Sequence, residues 1–514
     1  MSDPDATALQ FNALTDAWLP LVQKDGATMW ASPVEVLRGE RDGVDLDYPR
    51  DDFRVYARLL LSALVQALFP AKNKAELALR LERPLSRKEV EARIDPIRSD
   101  FDLFGPTPFL QVTPPPNAPT EGGAAPFVFP GEDIFKARIP VDAVSLPIAL
   151  VSIFAEQTYA GKGGRGYPPG IAGTLGALTL LDPGSVRAAA WANTLTSETV
   201  RQKYAADPDC PWTNVSQSDQ LASSIGIVGG LFFQPRGIWL VPSGYGRCSF
   251  SGAVGRLVKR SPYLGKSRVA RSAVGPDERW LHPCAPLVSR ASGLGPVKLS
   301  PGRPIWTGLG QLLHPISESP KKRHPNEGPA LVLQQWRSLS GKPKRPLLLV
   351  LDFDRKDASV RGRFFEAFPL LVRGDTIEQL RALVADAQDV QRSLVQALTR
   401  AHDDRKQGGF ARADAESSFW ASSEAPFLDW LQVVTSADEP TEENDAQVDR
   451  AGKTMRARLR KTALEIFDAH VALSEFDPRK AEGVAKARRN LVKSLYPKPA
   501  GNGPIASSST EVSR

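Results

Sequence analysis

The residues most able to do chemistry in this 514-residue chain begin with Gly161-Lys162-Gly163-Gly164-Arg165-Gly166, which satisfies the pattern G-x-G-x-x-G. That pattern binds a dinucleotide only where a strand precedes it and a helix follows, so that the helix amides meet the pyrophosphate. Here the apolar stretch Ser145–Ala160 reads as a helix in front, and Tyr167-Pro168-Pro169-Gly170 follows, so the nucleotide reading fails on context. Gly265-Lys266-Ser267 ends like a P-loop, but the place of the motif's first glycine is taken by Arg260. Asp352 and Asp354 close a buried strand over Pro346–Phe353. A carboxylate pair of this kind can hold Mg²⁺ for phosphoryl transfer, which keeps a Mg²⁺-dependent enzyme as the alternative reading. Strand-end acids beside Arg355 and Lys356 are the plainer one. His282, His314, His324, His402 and His470 show no H-E-x-x-H spacing. Cys210, Cys248 and Cys284 are too few and too far apart for a four-ligand zinc site or a disulfide framework, which fits a reducing cytoplasm. No catalytic set, metal or cofactor is expected.

The glycine run has a second reading. Without Cβ atoms its backbone can press against a polyanion, donating N–H groups while Lys162 and Arg165 supply charge. A narrow minor groove favours so slim a backbone. A plain surface loop is the competing possibility, and Gly170, Gly173 and Gly176 continue the enrichment. Charge points the same way. The formal net charge is +7 and the pI about 9.2. From Arg247 to Arg303 there are 11 Lys/Arg against two acids, and from Asp445 to the end 14 against eight. Such blocks suit phosphate contacts, although a basic run can also be a solvated face.

These residues must be carried by more than one core, since the length asks for two or three domains. The fold class expected is α+β, a large mixed α/β N-terminal domain over 1–374 followed by a four-helix bundle over 375–496 and a disordered tail over 497–514. In the first part, Phe11–Val22 reads as strand and turn, Phe53–Leu68 as a helix stopped by Pro70, and Arg87–Phe101 as a charged helix. Pro114–Gly123 is a loop by composition, and Gly226–Pro242 reads as two short buried strands. In the second part, helices are expected over Asp375–His402, Phe419–Val434, Gln447–Leu473 and Pro478–Tyr496. Basic residues on the last two are spaced by threes and fours, making Arg456, Arg460, Arg488 and Arg489 a candidate basic face. No apolar run is long enough to span a bilayer, and the acidic, polar N-terminus does not read as a secretory signal.

Several ordered segments resemble one family. They are Phe11–Leu21 with its Trp18-Leu19-Pro20, Tyr48–Asp52 with the helix ending Phe69-Pro70-Ala71-Lys72, Gln157–Gly166, Ser223–Pro235, Trp280–Cys284 and Asp354–Val360. Together they make the chain similar to the large subunit, the CasA family, of the type I-E CRISPR surveillance complex Cascade. The resemblance runs from about Phe11 to the C-terminal helices. It implies a non-catalytic subunit that reads the PAM beside a double-stranded DNA target, starts duplex opening and helps recruit the CRISPR helicase–nuclease, while guide-RNA pairing reads the rest. It further implies contacts with the other Cascade subunits, backbone and small alike, and with the crRNA 5′ handle near Phe127–Arg138. The family's glycine loop corresponds to Gly161, Lys162, Gly163, Gly164, Arg165 and Gly166. A groove-reaching lysine corresponds to Lys266, or else to Arg268. The duplex wedge corresponds to Lys356, Asp357, Ala358 and Ser359, where relatives can carry a glutamine.

Overall fold

The computed structural model describes residues 9–113, 132–133, 141–159, 169–172, 176–213, 224–261, 280–291, 293–316, 324–340, 346–356, 359–371, 373–401, 405–437, 441–472 and 481–497, the side chains of 132–133, 355–356, 359–361, 405–411 and 472 apart. The chain divides into two compact units, Met1–Pro301 with Gln311–Val372, and Gly302–Gly310 with Arg373–Arg514.

The first unit carries four small sheets. β1 (Leu19–Val22) pairs antiparallel with β2 (Thr28–Ala31) and β3 (Asp45–Leu46). The second has the order β4 (Glu132–Asp133), β12 (Ser359–Pro369), β11 (Leu347–Lys356), β6 (Leu178–Asp182). The third has the order β5 (Val144–Ser145), β8 (Val254–Arg260), β7 (Leu240–Arg247), and β9 (Leu287–Arg290) pairs with β10 (Gly293–Pro296). Two helices form the interior against which these sheets are held. Helix α1 (Asp51–Leu68) buries every residue except Asp51 and Arg54. Helix α2 (Leu146–Thr158) buries all but Pro147. Helices apolar on every side belong in a core. Helix α1 stops at Phe69 because Pro70 has no N–H to continue the ladder.

Two expectations are corrected in this unit. The charged stretch Arg87–Phe101 is not one helix: an α-helical segment Arg87–Ile94, opened by a Ser86–Glu89 capping box, gives way to a 3₁₀ segment Asp95–Phe101. Pro96 sits at that change, since proline cannot supply the next α-type N–H. The first half of Gly226–Pro242 is not a strand but the short helix α3 (Ile227–Leu231). The cause is remote in sequence. The Asp207 carboxylate accepts from Val228 N at 3.0 Å and Gly229 N at 2.7 Å, satisfying the helix's first amides. Of Phe11–Val22, only Leu19–Val22 is strand; Asn12 Oδ1 accepts from Leu14 N and Thr15 N and shapes the turn before it. Pro114–Gly123 and the tail beyond Pro497 lie outside the described residues.

The second unit contains four long helices, α4 (Gly374–Ala401), α5 (Arg405–Ser436), α6 (Glu442–Ala472) and α7 (Ala481–Leu495). Helix α4 packs on the other three, burying Ile377, Leu380, Leu383, Ala387, Val390, Leu394 and Leu398, the apolar stripe visible in the sequence. Helix α5 starts well before Phe419. Its first buried contact among the described side chains is Ala415, one turn ahead of Phe419, and so small a residue does not announce a helix. The unit also takes in a short segment from far upstream: Trp306 stacks on Phe427 with ring centroids 4.7 Å apart and meets Trp420 at 6.2 Å.

Candidate nucleic-acid interface

Gly161–Gly166, Lys266 and Arg268 lie outside the described residues, but the residues from which their segments depart are described in full. Helix α2 ends in four consecutive buried polar groups, Glu156, Gln157, Thr158 and Tyr159, each with a partner. Gln157 Nε2 donates to Leu110 O at 3.1 Å and Arg236 O at 2.9 Å, while its Oε1 accepts from Arg236 N at 3.1 Å. Thr158 Oγ1 donates to Leu231 O at 3.2 Å. The chain returns directly onto this helix end, with Ala172 N donating to Thr158 O at 2.9 Å. Gly170 makes that return possible, because a Cβ there would stand 2.3 Å from Thr158 O. The glycine-rich segment therefore leaves and re-enters at one point.

The same point anchors the segment containing Lys266 and Arg268. Glu156 forms an ion pair with Arg236 Nη1 at 3.2 Å and with Arg260 Nε at 3.2 Å, and the three side chains are at most 7% exposed. Arg260 is the last residue of β8, six positions before Lys266. On the far side of that segment, His282 meets Tyr159 Oη through Nε2 at 2.9 Å. His282 Nδ1 accepts from Cys284 N at 3.1 Å, which puts the ring's single proton on Nε2, facing Tyr159. Complete burial pushes the imidazole pKa down to about 3, so the ring is neutral throughout the physiological range. Burial likewise pushes the Cys284 thiol up, making it an inert core group. Trp280 fills the space over Gly230, where a Cβ would stand 2.0 Å from its ring, and donates from Nε1 to Gly226 O at 3.2 Å.

This strip also reaches the third expected element. Thr179, in β6, donates to Cys284 O from N at 2.8 Å and from Oγ1 at 3.2 Å, and β6 pairs with β11. Strands β11 and β12 form a hairpin in which Lys356 is the register partner of Ser359; the side chains of both, and Asp357 and Ala358 altogether, lie outside the described residues. The hairpin is held to α1 by Arg363, whose Nη1 donates to Asp52 Oδ1 at 3.1 Å. Ser359 and Val360 pair in parallel with Glu132 and Asp133, the one described portion of Phe127–Arg138. Asp352 is buried, its Oδ2 accepting from Leu299 N at 2.8 Å and its Oδ1 from Phe353 N at 2.7 Å. Its oxygens thus serve the main chain. Among the described residues no group of three His, Cys, Asp or Glu is disposed to hold a metal ion.

The second unit holds the expected basic face. Arg488 makes a two-pronged pair with Asp468 at 2.7 and 2.9 Å, and Arg456 pairs with Asp386. Arg460 lies over the Tyr496 ring at 5.7 Å, and Arg489 is exposed. Two of the four cations are thus already neutralised within the bundle. Two features escaped the sequence reading. The Glu156–Arg236–Arg260 cluster joins residues 80 and 104 positions apart, and His282 joins Tyr159 across 123. Their signal was a charged or polar residue inside an apolar run.

A family model described as CRISPR-associated protein Cse1 matches residues 12–466. The fold is similar to that of Thermobifida fusca Cse1, at 18% identity, a TM-score of 0.71, and coverage of 95% of this chain and 98% of that one. It is similar also to Thermus thermophilus CasA, at 18% identity and a TM-score of 0.69, covering 95% and 99%. A chain of a CRISPR RNA-guided surveillance complex matches at 17% identity and a TM-score of 0.67, covering 94% and 99%. Among the described residues no helix is long and apolar enough to cross a membrane.

Proposed function

The chain belongs to the CRISPR-associated Cse1 family, and from that premise we propose that it is the non-catalytic large subunit of a type I-E Cascade complex, reading the PAM in double-stranded DNA. In this reading it works in the cytoplasm beside the other Cascade subunits and the crRNA 5′ handle, begins duplex opening and helps recruit the helicase–nuclease. Gly161–Gly166 lies against the minor groove with Lys266 or Arg268 beside it, and Lys356–Ser359 enters next to the PAM as the wedge. The bundle cations, Arg456, Arg460, Arg488 and Arg489, face nucleic acid or neighbouring subunits, Arg489 with the least internal compensation.

One observation supports the reading above the others. The glycine-rich segment and the 262–279 segment, far apart in sequence, are rooted in one buried junction through Glu156–Arg260 and Tyr159–His282. Groove recognition requires its donors to be held at fixed mutual positions, and such a junction does this without placing charge in the groove itself.

The test is duplex binding by the complex reconstituted with guide RNA, with and without this chain. The reading predicts that the chain confers preference for a PAM duplex over a scrambled one. Lys266→Ala should lower the log–log salt slope by about 0.9 if Lys266 holds a phosphate, or alter PAM preference if it reads a base edge. Equal binding of both duplexes with the chain present rejects PAM reading and leaves an architectural role.

A further inference from the structure

The β7–β8 hairpin carries an exposed surface that none of the expected contacts uses. Tyr245 is 69% exposed and Val254 61%, unusual for a tyrosine and a valine in a strand pair. Register places Tyr245 directly opposite Arg256, and Arg247 directly opposite Val254. Side chains two apart on a strand share a face, so these four form one patch. Leu257, on the other face, is buried. Tyr245, Arg256 and Lys259 make no ring contact or ion pair with the described residues, and Arg247 donates only to Gly252 O, at 3.0 Å. From Leu240 to Arg260 the sequence contains no Asp or Glu, and the one cation with an acidic partner is Arg260.

The patch is also rigid. At its root the hairpin is tied by Arg260 to Glu156. At its tip Ser249 N donates to Ala143 O at 3.1 Å, and Phe250 packs on Phe53 with ring centroids 4.8 Å apart. Between these ties a register shift from Pro242 to Tyr245, with Gly244 at φ +80°, re-aims the strand where Tyr245 emerges. An aromatic ring held in water costs the burial it forgoes, and nothing among the described residues of the unit covers it.

We propose that this face is a binding platform for an unpaired polynucleotide strand, with one base stacked on Tyr245 and phosphates held by Arg247 and Arg256. A fixed aromatic face between guanidinium groups suits a strand whose bases are free to stack; in a duplex those faces are already stacked on one another. A single-stranded part of a guide RNA and an opened DNA strand share this chemistry. The inference does not depend on PAM reading by the glycine-rich segment.

The full-length chain is tested by fluorescence anisotropy with labelled oligothymidine, oligouridine and a duplex lacking a PAM, each about 20 nucleotides long, more than one strand-binding site requires. Tyr245→Ala should weaken single-strand binding between about 5- and 150-fold, with Tyr245→Trp restoring it. Arg247→Ala with Arg256→Ala should flatten the single-strand salt slope by about 1.4. Stronger binding of uridine assigns the platform to RNA, of thymidine to opened DNA, and equal binding to either strand. All variants should melt with wild type, since the altered side chains are exposed. The proposal is overturned if the chain binds neither single strand, if Tyr245→Ala binds them as wild type does, or if the duplex binds as tightly and responds only to the arginine changes.

Discussion

Glu156→Gln removes one charge and almost no volume from the centre of the first unit. Glu156 is 2% exposed, and Arg236 and Arg260 at 3.2 Å are 5% and 7% exposed. Losing the carboxylate leaves two guanidinium groups buried without a counter-charge. Breaking a buried pair in this way costs about 3–5 kcal/mol, because the stranded charge keeps its desolvation penalty. The Arg260 contact is ionic rather than a well-directed hydrogen bond, since Arg260 Nε has no acceptor in hydrogen-bonding geometry. The neutral amide therefore cannot replace it. A unit of roughly 360 residues has an unfolding entropy near 0.8 kcal/mol/K, so its Tm should fall by about 4–7 °C, read by differential scanning calorimetry. Replacing Glu156, Arg236 and Arg260 together by methionine removes the stranded charge as well and should melt above Glu156→Gln. A Glu156→Gln protein melting within a degree of wild type, or a triple variant melting lower still, refutes the reasoning.

His282 has a folded pKa of about 3 against an ordinary value of about 6.5. The unfolded chain therefore takes up the proton first; the ring's contribution to stability is complete above about pH 6.5 and is lost as pH falls toward 3. Between pH 7 and 5 the wild type should lose about 2 kcal/mol more than His282→Gln in urea unfolding, and equal losses would contradict a buried neutral imidazole. Gly170→Ala puts a Cβ 2.3 Å from Thr158 O. It should cost about 1–3 kcal/mol and speed trypsin cleavage after Lys162 or Arg165, and an unaltered melt and cleavage rate would reject the close return.

Periodic elements were legible where one face or all faces are apolar. Helix α1 and the stripe of α4 read directly from residue type. What could not be read depends on partners remote in sequence. Ile227–Leu231 is helical because Asp207 supplies its first amides with acceptors, and no local propensity of an Ile-Val-Gly-Gly-Leu stretch contains that information. Trp306 reads as a loop aromatic until Phe427 stacks on it. The same distinction holds for the site. Glycine and basic composition marked the segments that could meet DNA, whereas the junction beneath them, Glu156 with Arg260 and Tyr159 with His282, is a product of the tertiary fold. In the bundle, the spacing of Arg456 and Arg488 showed a basic face but not the aspartates, Asp386 and Asp468, that take up their charge.

The central claim is that Gly161–Gly166 brings bare backbone against the PAM duplex. Gly163→Asp with Gly164→Asp adds two Cβ atoms and two negative charges at that contact. The complex carrying the double variant should assemble with its guide RNA as the wild-type complex does and lose its preference for a PAM duplex over a scrambled one in a direct binding measurement. Assembly intact with PAM-dependent binding unchanged would contradict the account.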